Sequence, residues 1–233
     1  MPPMKTLGII GGIGPESTVD YYRSLIQGWR ERTKDGSAPS ILLNSIDLKK
    51  MLDMVAANDL STVTEYLSEE MEKLARAGAD VGLFASNTPH IVYDEIQRRS
   101  SIPLISIVEA TRQVAEELGL SRLILLGHRF TMHGHFYSDV FSKAGISLVV
   151  PEENEQAYIH DKYMNELVKG VFLPETRERL LAIAERLAKQ EHAQGVILAG
   201  TELPLILRDA SCGVPFLDTA QIHVKAALGR LLS

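Results

Sequence analysis

The chain has 233 residues, 45% of them apolar and 23% charged, with a formal net charge of −6. It carries no block of lysine and arginine, which argues against a nucleic-acid surface, and no apolar run of roughly 18 residues that would read as a membrane span. A single cysteine, Cys212, excludes an internal disulfide. With an N-terminus that lacks a signal-peptide layout, this points to a reducing, cytoplasmic setting.

In chain order, residues 5–10 predict a first strand. The glycine loop 11-GGIGPES-17 follows, then a helix from Ser17 to Arg32 with apolar positions at Val19, Tyr22, Leu25, Ile26 and Trp29. Strands are expected at 41–46, 81–85 and 104–107. Helices are expected after Asp47, at Leu60–Ala77, at Ile91–Arg99 and at 109–118, with Gly78 and Gly119 closing two of them. The same order then starts again: strand 122–126, helix Met132–Ala144, strand 146–150. A polar connection, 151-PEENEQAYIHDKY-163, feeds two helical stretches, the second at Pro174–Gln190. Strands at 195–199 and 215–217 and a helix at 219–232 close the chain.

This alternation implies α/β units with mainly parallel sheets flanked by helices. The chain also echoes itself. The run 81-VGLFASNTPHIV-92 has its counterpart in 196-VILAGTELPLI-206, Gly11 in Gly127, and Pro103 in Pro215. The expectation is two α/β domains related by a pseudo-twofold axis. Residues 1–108 plus 213–233 would form one and 109–212 the other, with the last strand and helix crossing back to the first.

Short polar residues follow the apolar run in each copy, at the carboxyl end of a strand, where open α/β sheets bind ligands. The glycine loop, with Gly12 and Gly14, lacks the dinucleotide pattern GxGxxG and an acidic residue about 20 positions on. Its backbone N–H groups suit an anion such as a substrate carboxylate, or the loop is a structural turn. Ser86, Asn87 and Thr88 read either as helix caps or, with Thr201 and Glu202 in the second copy, as a holder for the two carboxylates of a small diacid. His90 is a candidate base or a satisfied helical histidine. His128, His133 and His135 do not converge as metal ligands, because residues two apart on a helix point different ways, and no metal is expected. Cys212 reads as buried and inert, with a nucleophile as the lesser alternative.

Taken together, GGIGPEST, NTPH, HRFTM and TELPLI resemble the aspartate/glutamate racemase family of cofactor-independent amino-acid racemases, over essentially the whole chain. The resemblance implies a site in a cleft between two α/β domains, no cofactor, a homodimer, and a small dicarboxylate or acidic amino acid as ligand. It adds Thr131 and Lys162 to the substrate-binding candidates. It also exposes a departure. The two cysteines that exchange protons with the α-carbon in that family fall on Ser86 and Gly200. A serine hydroxyl is a far weaker acid than a thiol and needs a base beside it, and glycine has no side chain. Three readings stay open: an isomerase using Ser86 with help from His90 and a water beside Gly200; related decarboxylase or cis–trans isomerase chemistry; and a non-catalytic binder of dicarboxylates or amino acids.

Overall fold

Buried apolar runs alternating with amphipathic segments give two four-stranded parallel sheets in a computed structural model, which describes residues 4–233. In the first sheet β1 (Thr6–Gly11), β2 (Ser40–Ser45), β3 (Val81–Phe84) and β4 (Leu104–Ile105) lie in the order β2-β1-β3-β4. In the second, β5 (Arg122–Leu126), β6 (Ser147–Val149), β7 (Gly195–Leu198) and β8 (Phe216–Asp218) lie in the order β6-β5-β7-β8. The two orders are the same permutation. The echo in the sequence is therefore a repeat of topology. The inner strands β3 and β7 are buried along their whole length, as expected for parallel strands covered on both faces.

The helices of the first unit follow local signals. Helix α1 (Pro15–Thr33) has proline in its first turn with Glu16, and Arg30 and Arg32 in its last, which suits the helix dipole. It buries Tyr21, Leu25 and Trp29 at a spacing of four, whereas the expected core positions Val19 and Tyr22 face outward. Asp47 caps α2 (Leu48–Ala56) by accepting the Lys50 N–H at 3.1 Å, and Asp59 caps α3 (Leu60–Arg76) by accepting the Thr62 N–H at 3.1 Å. Helices α4 (Tyr93–Arg99) and α5 (Ile107–Glu117) complete this half.

In the second unit the single helix expected at Met132–Ala144 is two: α6 (Arg129–His133) and α7 (His135–Lys143), separated by Gly134 in an extended conformation. The expected connection 151–163 is itself largely helix, α8 (Glu153–Asn165), burying Glu155, Ile159 and Tyr163 along one face. Its sparse apolar residues hid it. Helix α9 (Pro174–Gln190) opens on proline and buries Leu180, Ile183, Ala184 and Leu187. Short α10 (Leu203–Leu207) and terminal α11 (Thr219–Leu231) follow.

The chain divides into Met1–Ile107 with His223–Ser233, and Val108–Ile222. The crossing back therefore begins later than residue 213. Strand β8 pairs with β7, Val196 opposite Phe216, so residues 213–222 belong to the second unit and only the body of α11 returns to the first.

Candidate functional site

In the first unit the candidates gather at the carboxyl ends of β1 and β3. Gly12 has φ 80° and Gly14 φ 97°, and a Cβ on Gly12 would lie 2.4 Å from the Ile46 carbonyl oxygen, so this turn requires glycine. The loop is tied down from inside. The Gly12 N–H donates to Thr18 Oγ1 at 3.0 Å, while the Ser17 and Thr18 hydroxyls donate to the Gly14 carbonyl at 2.9 and 3.0 Å. The Gly12 N–H is thus already spent. Gly12 shapes the turn, the structural alternative for this loop, and its own N–H points into the loop.

Ser86, Asn87, Thr88 and His90 are all buried. Asn87 precedes a 3₁₀ turn at Thr88–Val92, and its side chain makes no cap bond to that turn, so the capping role is not realised. His90 does not serve as the base for Ser86. Its Nε2 accepts the Ile107 N–H at 3.1 Å, which places the ring proton on Nδ1 and leaves no basic lone pair for a substrate. Burial, with a smaller contribution from neighbouring His223, lowers its pKa to about 3. The ring stacks flat on Tyr93 at 5.0 Å. His90 is therefore a buried core histidine tied to the backbone through Nε2.

His223 forms the companion buried link. Its Nε2 lies 2.9 Å from the Ile105 carbonyl and donates to it, so Nδ1 accepts from the Tyr21 hydroxyl at 3.0 Å.

In the second unit β7 ends at Leu198, and Gly200, Thr201 and Glu202 follow, the last two almost fully buried. The space beside Gly200 is not a gap for water. A Cβ there would lie 2.5 Å from Tyr163 Cε2 and 3.0 Å from its hydroxyl oxygen. Tyr163, on the buried face of α8, fills the volume that a side chain at 200 would use. Its hydroxyl donates a short hydrogen bond to Glu202 Oε2, and Thr201 Oγ1 donates to the same oxygen at 3.2 Å. Glu202 thus accepts from its own neighbours through Oε2. It precedes α10 without capping it. Burial first, and then the Glu202 charge, raises the Tyr163 pKa well above its usual value, so the phenol stays protonated.

Thr131 is fully buried, with Oγ1 3.5 Å from His128 Nε2. The His128 ring lies 5.2 Å from that of Tyr163, and burial, with His160 nearby, lowers its pKa to about 3. Lys162 does not join this group. It pairs with Glu166 one turn along α8, and Glu166 is also held by Thr176 Oγ1 at 2.5 Å. Tyr163, the next residue, is the one aimed at Gly200. The sequence signal that could have found it is the Glu155–Ile159–Tyr163 spacing of one helical face. Cys212 is buried, its thiol donating to the Val214 carbonyl at 3.6 Å, and burial raises its pKa. Among the described residues no group of three or more His, Cys, Asp or Glu is placed to hold a metal ion, and no helix is long and apolar enough to cross a membrane.

The sequence profile of the Asp/Glu/hydantoin racemase family matches residues 10–227. The chain belongs to that family. It is similar to the broad-specificity amino-acid racemase RacX of Bacillus subtilis, at 23% identity over 97% of this chain and 98% of the relative. Among solved structures, a proposed Asp/Glu racemase from Yersinia pestis superposes with a TM-score of 0.88 at 32% identity, covering 99% of this chain and 100% of the other. An aspartate racemase homologue from Pyrococcus horikoshii gives 0.84 at 32% identity over the same shares. An aspartate racemase from Picrophilus torridus shares the fold, with a TM-score of 0.78 at 22% identity over 97% and 94%.

Proposed function

We propose that the protein is a cofactor-independent isomerase that removes and returns the α-proton of a small acidic amino acid. The observation that carries this reading is a buried polar turn that recurs in each unit. Each unit follows its third strand with hydroxyl- and amide- or carboxylate-bearing side chains that do not cap the helix or turn after them. Polar side chains gathered at the carboxyl ends of parallel strands are where open α/β sheets bind small ligands. The family supports the class of chemistry, and RacX, by its name, acts broadly on amino acids.

In this reading Ser86 occupies the proton-transfer position of the first unit, and the hydroxyl and amide groups of Asn87, Thr88 and Thr131 hold the carboxylates. Aspartate and glutamate are the first substrates to try. The protein would work in the cytoplasm as a homodimer, which sedimentation of the purified protein checks.

The test is α-proton exchange in D2O followed by NMR, over L- and D-aspartate, L- and D-glutamate and a panel of other amino acids. The reading expects exchange accompanied by inversion of configuration. Saturable binding with no exchange for any compound would overturn it in favour of a binding protein.

A further inference from the structure

The two units match strand for strand, and the backbone does the same thing at the end of each third strand. The Ala85 N–H donates to the Ile10 carbonyl at 2.9 Å, and the Ala199 N–H donates to the Leu126 carbonyl at 2.7 Å. The next residue is Ser86 in one unit and Gly200 in the other. The first unit therefore presents a hydroxyl from the strand end itself. The second presents none from Gly200, but it places the Tyr163 hydroxyl 3.0 Å from where the Cβ of residue 200 would stand. That hydroxyl is bonded to the buried Glu202 carboxylate, which Thr201 also engages.

We propose that Tyr163 and Glu202 together are the acid–base group of the second unit, the phenol contacting the substrate and the carboxylate acting through it. The inference rests on the isomerase reading above and names the group that serves one side of it. In the forward step the bond between the α-carbon and its proton breaks, and that proton bonds to Tyr163 Oη. In concert, the proton that Oη already held moves to Glu202 Oε2. The electron pair of the broken bond stays on the α-carbon. One carboxylate negative charge is consumed and one carbanion charge formed, so atoms and charge balance without an oxidant or a metal. Reversed, the same shift returns a proton to the carbon.

The relay explains why the phenol needs its partner. Burial and the adjacent carboxylate hold Tyr163 protonated, so a free phenolate is not accessible as a base. Passing the proton through to Glu202 avoids forming one. It also explains the glycine. A Cβ at 200 would force the Tyr163 ring to shift, so the small residue and the tyrosine belong to one arrangement.

The deciding experiment compares wild type with Tyr163→Phe and Glu202→Gln. Phe keeps the ring against Gly200 and His128 and removes only the hydroxyl. Gln keeps an oxygen that accepts from Tyr163 and removes the basic charge. Exchange of each enantiomer in D2O is measured separately, with circular dichroism to establish that each variant is folded. The expected result is a loss of at least tenfold, and about 100-fold or more if the relay is the main base, for one and the same enantiomer in both variants. The other enantiomer should change less than threefold, and KM should be retained. A loss below tenfold in either variant, or an equal loss for both enantiomers, overturns the relay while leaving the isomerase reading intact. No exchange of any compound by the wild type overturns the isomerase reading and the relay with it.

Discussion

The Tyr163 ring occupies the place where a side chain on Gly200 would begin, with Cε2 2.5 Å from the Cβ that glycine lacks. The two residues are 37 positions apart by number, on a helix and at a strand end, and each makes the other possible. Gly200→Ala should cost about 1–3 kcal/mol through overpacking. In a Tyr163→Ala background the same change should be close to neutral. Urea unfolding of the four proteins completes the cycle, and additive effects would show that the contact is not the cause. By the same logic, placing cysteines at 86 and 200 together should give little racemase activity until Tyr163 is also truncated.

The glycine turn gives a second prediction. Gly12 combines φ 80° with a carbonyl oxygen at the position a Cβ would need. Gly12→Ala should lower stability by about 3 kcal/mol, from left-handed strain and overlap together. Thermal unfolding checks it, and a variant with unchanged Tm would mean that the loop relaxes freely.

Three buried histidines make stability depend on pH. His90 and His128 have pKa values near 3 and His223 near 4, against an ordinary value of 6.5. Burial is the leading cause for each. A folded pKa below the unfolded one means that between about pH 6.5 and 4 the unfolded chain binds more protons. The stability is then fully present above pH 6.5 and is lost as pH falls toward 3–4. Each histidine contributes a slope of about 1.4 kcal/mol per pH unit. Urea midpoints should drop between pH 7.5 and 5, and His128→Gln should flatten the slope by about one histidine's share. A flat profile over that range would show that the rings take up protons without unfolding.

For ligand binding, Thr88→Ala and Thr131→Ala should each weaken aspartate or glutamate affinity by about 1–3 kcal/mol if their hydroxyls pair with a buried carboxylate. Calorimetry reads this directly. Unchanged affinity in both would return the threonines to a structural role.

What was legible in the sequence follows from where each signal is local. The buried strands announce themselves as short runs of branched and aromatic residues, and Asp47 sits at its helix start as cap chemistry dictates. The polar turns at 86–88 and 200–202 were legible because they are contiguous and repeated. Helix α8 was not, because only Glu155, Ile159 and Tyr163 face inward and one of the three is charged, answered by Arg186 of α9. The role of Tyr163 was hidden for a different reason. A glycine in sequence says that a side chain is missing, and only the packing says whose side chain has taken its place. His90 misled in the opposite sense. Its proximity to Ser86 was visible, but the Ile107 N–H that occupies its lone pair comes from 17 residues further on.

The return of the chain to its first unit has a consequence for how the protein is made. Residues 108–222 form the second unit as one contiguous stretch. The first unit begins earlier but is finished last, because His223–Ser233 are part of it and the His223 imidazole bridges Tyr21 and the Ile105 carbonyl. Until His223 is synthesised, the Tyr21 hydroxyl and the Ile105 carbonyl lack that bridge. The half that starts first therefore depends on residues made after the whole of the second, and deleting residues 223–233 should unsettle the first unit before the unit that immediately precedes the cut.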